Sequence, residues 1–139
     1  MIGYPKWFSK IFISVSIFLL FLSGILLIPN MLSHRFEIDV PFELSGNIRL
    51  ATTAIHVFVM CLALFILGGI SVLHAKIGLK KNQNVTTGVI LYSFFFLLTI
   101  SGIGILYASN SDLISTSSVI HLIAGLLLFL IYIVHQKFR

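Results

Sequence analysis

Residues 118–137 read SVIHLIAGLLLFLIYIVHQK, an apolar run interrupted by two histidines, His121 and His135, 14 positions apart. About 20 residues of α-helix are needed to cross the ~30 Å of hydrocarbon in a bilayer. A helix is the structure expected there, because every backbone polar group must be satisfied within its own segment. The run therefore predicts a membrane-spanning helix that holds two titratable side chains at depths where such groups are rare and usually functional.

The composition of the whole chain is that of an integral membrane protein. Of 139 residues, 58% are hydrophobic and only 9% are charged, and the mean hydropathy is +1.10. A soluble domain of this size could not cover its surface with so few charges. Cys61 is the only cysteine, which excludes an intramolecular disulfide and a cysteine-based metal cluster. The sequence contains no nucleotide motif, no Ser/His/Asp set and no carboxylate within an apolar run, so hydrolytic and transferase chemistry have no support.

Four apolar runs predict the fold. They cover about residues 9–29, 50–75, 85–108 and 116–136, and short polar segments connect them. Pro29 and Asn30 are expected to end the first run. We interpret this run as a true span and not a signal peptide, because its apolar core is too long and no small-residue cleavage site follows. The chain is therefore expected to be all-α, a single integral membrane four-helix bundle over residues 1–139.

The charges are distributed unevenly between the two sides of this four-span arrangement. One side holds seven of the nine basic residues: Lys6, Lys10, Lys76, Lys80, Lys81, Lys137 and Arg139. The other side holds the two remaining arginines and all four acidic residues. Because basic loops stay in the cytoplasm, both termini are expected inside, in a bacterial cytoplasmic (inner) membrane. The net charge of +5 is explained by this orientation, and nucleic acid is not an expected partner.

A second histidine pair, His56 and His74, lies 18 residues apart on the second span. Spans two and four run in the same direction, so His56 and His121 are expected near the outer surface, and His74 and His135 near the inner one. At 100° per residue, 14 steps return to within about 40° of the starting face and 18 steps return to the same face. The two helices are therefore expected to present two stacked imidazole pairs, one in each leaflet.

Paired imidazoles favour haem as the cofactor. Imidazole nitrogen is a standard axial ligand of haem iron, and a flat apolar macrocycle fits between the helices of a bundle. Gly125, four residues after His121, offers room for it, and Arg49, two turns outward of His56, is a candidate partner for the propionates. A single histidine of this kind often only forms hydrogen bonds in the interior, but four co-facial histidines in two pairs favour haem. Their 18- and 14-residue spacings differ by about 6 Å in depth, of which helix tilt absorbs a part.

The segments HLIAGLLLFLIYIVH (residues 121–135) and RLATTAIH (residues 49–56) resemble the di-haem cytochrome b561-like superfamily. That superfamily includes the membrane b-type subunits of formate dehydrogenase and of nickel–iron hydrogenase. The resemblance implies two haem b groups, with ligands at His121 and His135 on the fourth span and at His56, which pairs with His121. The superfamily commonly takes its last ligand from the inner end of the first span, but YPKWFSKIF contains no histidine. His74 is the substitute, inferred from its position.

The leading hypothesis is transmembrane electron transfer by a two-haem b-type cytochrome subunit. Such a subunit relays electrons between a redox-partner protein and a quinone pool or second partner, within an oxidoreductase complex whose catalytic domain lies elsewhere. The acidic outer loop with Glu37, Asp39 and Glu43 is a candidate docking surface. The alternative is a haem-free membrane anchor or assembly subunit whose histidines only pack. A small transporter or proton relay is disfavoured, because the spans contain no Asp or Glu.

Overall fold

The computed structural model describes residues 11–71, 76–81 and 85–137, and almost all of them are helical. The helices are α1 (Ile13–Phe36), α2 (Gly46–Ile70), the short α3 (Lys76–Lys81), α4 (Val85–Tyr107) and α5 (Ser111–Lys137). No strand occurs in these three ranges. The four long helices are each long and apolar enough to cross a membrane. The prediction of an all-α four-helix membrane bundle is confirmed.

The bundle is built from two helical hairpins. α1 packs on α2, α4 packs still more extensively on α5, and a smaller contact between α1 and α5 joins the hairpins. The centre of the bundle takes one buried apolar residue from each long helix: Ile17, Ala63, Phe95 and Leu128. Lipid tails are as apolar as these side chains, so close packing and interhelical hydrogen bonds hold such a bundle together.

The surface of the bundle is apolar and much of its interior is polar. Phe65 is 81% exposed and Tyr107 80% exposed. The buried polar residues are Ser16, Ser23, Asn30, Ser101 and Ser118. An apolar exposed surface, over an interior that includes polar side chains, suits a helix bundle whose outer surface faces lipid.

α1 does not end at Pro29, as the sequence suggested, but continues two turns further to Phe36. A proline in a helix removes one N–H donor, here the partner of the Ile25 carbonyl, and the turns that follow still form their own bonds. The helix ends where Glu37 adopts the left-handed conformation, with φ 54° and ψ 31°. The amides of Glu37 and Ile38 then donate to the carbonyls of Ser33 and Leu32, which closes the last turn.

Two asparagines fix the connections at the end of the bundle where α2 and α5 begin. The Asn30 side chain donates to the Leu44 carbonyl and accepts from the Leu44 amide, both at 3.1 Å, which ties the α1–α2 loop to α1. Asn110 Oδ1 accepts the Asp112 amide at 2.8 Å and so caps α5. α5 therefore begins at Ser111, earlier than its apolar run, and residues 108–110 suffice to connect it to α4.

Candidate functional site

His56 of α2 and His121 of α5 face each other inside the bundle. Their ring centroids are 6.2 Å apart and their planes are inclined by 61°. Each histidine follows the first residue of its helix, Gly46 or Ser111, by ten positions, which corresponds to about 15 Å along the axis. The structure thus brings together the two residues that the sequence assigned to the outer site, at matching depths. We call them the His56–His121 pair.

Ser23 of α1 forms a hydrogen bond with His56. Its Oγ lies 2.8 Å from His56 Nδ1 and 2.6 Å from the backbone carbonyl oxygen of Leu19. A carbonyl oxygen only accepts, and a hydroxyl has a single proton to donate. The Ser23 proton therefore goes to Leu19, and His56 Nδ1–H donates to Ser23 Oγ. In a neutral imidazole this leaves Nε2 unprotonated, with a free lone pair.

Ser101 of α4 does the same for His121. The distance from Ser101 Oγ to His121 Nδ1 is 2.9 Å, and the Ser101 hydroxyl donates to the Leu97 carbonyl at 2.8 Å. Both members of the His56–His121 pair are thereby held in the tautomer that metal-binding histidines adopt when Nε2 is the ligand atom. A hydrogen bond from the other ring nitrogen is the usual companion of such a ligand.

A glycine follows each of these serines and lies against the same imidazole ring. A Cβ atom on Gly24 would stand 3.5 Å from His56 Cε1, and one on Gly102 would stand 3.5 Å from His121 Cε1. The glycines therefore let each ring edge approach the neighbouring helix closely. Gly125, the small residue expected to make room for haem, lies near α4, where a Cβ atom would stand 3.9 Å from Leu98 Cδ2.

The same arrangement occurs a second time on the α4–α5 hairpin. Thr87 Oγ1 lies 2.7 Å from His135 Nδ1, and a Cβ atom on Gly88 would stand 4.0 Å from His135 Cε1. Thr87 precedes Ser101 by 14 residues, the same separation as between His121 and His135. Because α4 and α5 pack as an antiparallel hairpin, this equal spacing repeats one histidine unit at both ends of the hairpin.

Two further predicted site residues are His74 and Arg49. His74, the expected partner of His135, lies outside the described residues. Arg49 is half-buried in the first turn of α2, seven residues before His56. Within residues 11–71, 76–81 and 85–137, the one ion pair joins His34 to Glu43, at 4.0 Å. Arg49 therefore forms no ion pair with a described carboxylate.

The His56–His121 pair fits the axial ligands of a haem. An imidazole nitrogen binds a metal ion at about 2.0 Å and lies about 1.1 Å from its ring centre, so two imidazoles that held one iron from opposite sides would have centroids about 6.2 Å apart. The observed separation is 6.2 Å. The described part of the chain contains no group of three or more metal-binding side chains. A two-histidine site therefore suits a metal whose other ligands come from a macrocycle.

Comparison with known proteins found no match: no protein-family model, no curated protein and no solved structure matches the chain.

The sequence prediction missed the hydroxyl partners on α1 and α4. The signal was present, since the two spans that pack against the histidine-bearing helices contain Ser/Thr–Gly dipeptides: Ser23–Gly24 on α1, and Thr87–Gly88 and Ser101–Gly102 on α4. The 14-residue spacing of the two dipeptides on α4, matched to the histidine spacing on α5, was the most specific part of that signal. A serine hydroxyl in a helix commonly forms a hydrogen bond with a carbonyl of the preceding turn. A single serine in a span therefore does not indicate a histidine partner.

Proposed function

We propose that the chain is a b-type cytochrome that transfers electrons across a membrane. The observation that supports this most strongly is the His56–His121 pair, with two imidazoles at axial-ligand separation and both Nε2 lone pairs left free by serine hydrogen bonds. In this proposal Nε2 of each histidine holds one haem b between α2 and α5. The haem supplies reversible one-electron chemistry, and the protein supplies the ligands and an apolar surrounding that tunes the potential.

A second haem is proposed at the other end of the bundle, with His135 as one ligand. Its support is that Thr87 and Gly88 lie against His135 as Ser101 and Gly102 lie against His121. The two histidines of α5 are separated by roughly 21 Å along the helix axis, so each half of the membrane receives one redox centre. His74 remains the proposed second ligand, from its place in the sequence.

Two centres in opposite leaflets give the electron transfer an energetic consequence. One elementary charge that crosses the full membrane couples to about 2.3 kcal/mol per 100 mV.

Arg49, half-buried and without a described carboxylate partner, is proposed to neutralise a propionate of the haem at the His56–His121 pair. Its guanidinium is suited to two-pronged binding of a carboxylate.

The membrane orientation and partners follow from the charge pattern. Both termini are proposed to face the cytoplasm of a bacterial cell, because seven of nine basic residues lie on that side. The proposed partners in electron transfer are redox-partner subunits on one side and a quinone pool or second partner on the other. The loop with Glu37, Asp39 and Glu43 is exposed and is the proposed contact surface for a basic redox partner.

The proposal is tested by the absorption spectrum of the purified full-length chain, produced with ample haem supply. We expect reduced-minus-oxidised bands of a b-type haem, with a pyridine haemochrome ratio close to two haems per chain. A colourless preparation would contradict the proposal and would favour a haem-free membrane anchor, in which His56 and His121 serve only as partners of Ser23 and Ser101.

A further inference from the structure

We infer that Ser23 and Ser101 are positioning residues that hold His56 and His121 with Nε2 free to bind metal and set the electron density on that nitrogen. The inference rests on the proposed function, because it assigns these hydroxyls a purpose only if Nε2 binds haem iron. Neither serine is among the residues that the sequence pattern singled out. Ser101 lies on α4, which contains no histidine, and Ser23 lies on α1, whose one histidine, His34, is in the last turn beside Glu43.

The direction of the two hydrogen bonds is fixed by the helix that holds each serine. Ser23 and Ser101 are 7% and 4% exposed, so water does not compete for their hydroxyls. Each hydroxyl donates to the carbonyl four residues earlier and has a lone pair left for the imidazole. A histidine in an apolar interior can adopt either neutral tautomer. The serine Oγ beside Nδ1 can only accept, so it selects the tautomer in which Nδ1 carries the proton and Nε2 carries none.

The same bond has a consequence for the redox potential. Donation of Nδ1–H to an oxygen draws the proton away from the ring and makes the ligand nitrogen more basic. A more basic ligand stabilises ferric over ferrous iron. Loss of the serine hydroxyl is therefore expected to shift the midpoint potential of the attached haem upward. A residue that only filled space would leave this potential unchanged.

The test compares Ser101→Ala and Ser23→Ala with a matched control, Ser118→Ala. Ser118 is 3% exposed and donates to the carbonyl four residues earlier at 2.8 Å, as the other two serines do. In the part of the chain that the structure describes, its hydroxyl has no histidine partner. Ser101→Thr restores the hydroxyl, which threonine already supplies to His135 at Thr87. Midpoint potentials and the g-values of the ferric low-spin signal are measured on the haem-loaded full chain.

We expect Ser101→Ala and Ser23→Ala to raise the potential of one haem and to alter its g-values, with the other haem unaffected. Ser118→Ala should leave both haems as in the wild type, and Ser101→Thr should return the potential towards the wild-type value. Equal potentials and g-values in all the alanine variants would overturn the inference, and so would a downward shift in Ser101→Ala and Ser23→Ala.

A second measurement separates this inference from the proposed function. If the wild-type chain, or Ser101→Ala, binds no haem, the ring nitrogens are observed by ¹⁵N NMR in the haem-free full chain labelled at histidine. Protonated Nδ1 and unprotonated Nε2 at His56 and His121 in the wild type, with loss of this preference for His121 in Ser101→Ala, supports the positioning role. Protonated Nε2 in the wild type, or an unchanged His121 tautomer in Ser101→Ala, overturns it.

Discussion

At the scale of single residues, the arrangement depends on where a few protons lie. A helical serine gives its proton to its own turn, and the imidazole then gives its Nδ1 proton to the serine. The histidines themselves were evident from the sequence, because titratable groups in apolar spans are rare. Their serine partners were not, because Ser23 and His56 are 33 residues apart and meet only through the α1–α2 register.

A residue-scale prediction concerns the sharing of one haem by two ligands. We expect His56→Ala and His121→Ala each to reduce the haem content from two per chain to one, because bis-histidine ligation fails when either imidazole is lost. The double variant should also retain one haem, since both side chains belong to the same site. The measurement is the pyridine haemochrome ratio of purified, monodisperse protein.

The control for these variants is His34→Ala, since His34 lies at the end of α1 with a half-exposed side chain beside Glu43. It should keep both haems. Two haems lost in the double variant, with one lost in each single variant, would show that His56 and His121 belong to different sites.

At the scale of helices, the spans were predictable and their contacts were not. Apolar length located the four long helices, yet α1 passes through Pro29 and α5 starts at the Asn110 cap. Helix register depends on small side chains whose partners lie on another helix. Gly104 of α4 makes a tight contact of this kind, because a Cβ atom there would overlap the hydroxyl of Ser117 on α5.

An element-scale prediction follows for Gly104. Gly104→Ala should destabilise the α4–α5 hairpin by about 1–3 kcal/mol, because the added methyl group overpacks a tight helix contact. Gly68→Ala is the matched control, since a Cβ atom on Gly68 would meet no atom of the described residues within 4 Å, and it should change stability by less than about 1 kcal/mol. Unfolding in mixed detergent micelles measures both.

The tight contact at Gly104 is tested further by a double variant. Ser117→Ala removes the nearest atom, the hydroxyl oxygen, and should recover part of the stability lost in Gly104→Ala. Equal stability of Gly104→Ala and Gly68→Ala would contradict the close α4–α5 packing, on which the repeated histidine units depend.

At the scale of the whole molecule, the bundle places one histidine unit in each half of its length. His121 lies in the half where α2 and α5 begin, and His135 lies two residues before the end of α5. The sequence predicted this division from helical periodicity and from the direction of the spans. The hydroxyl and glycine neighbours of both histidines escaped prediction because they belong to a different helix, and only the 14-residue spacing of their dipeptides on α4 indicated them.

The most direct test of transmembrane electron transfer uses the haem-loaded chain in liposomes that contain ferricyanide, with ascorbate outside and with valinomycin and potassium to balance charge. We predict that the wild type and His34→Ala reduce the internal ferricyanide well above the rate of protein-free liposomes. The double variant His56→Ala/His121→Ala should show the protein-free rate, because one of the two redox centres is missing. Reduction by the double variant at the wild-type rate, or none by the haem-loaded wild type, would contradict electron transfer through the His56–His121 pair.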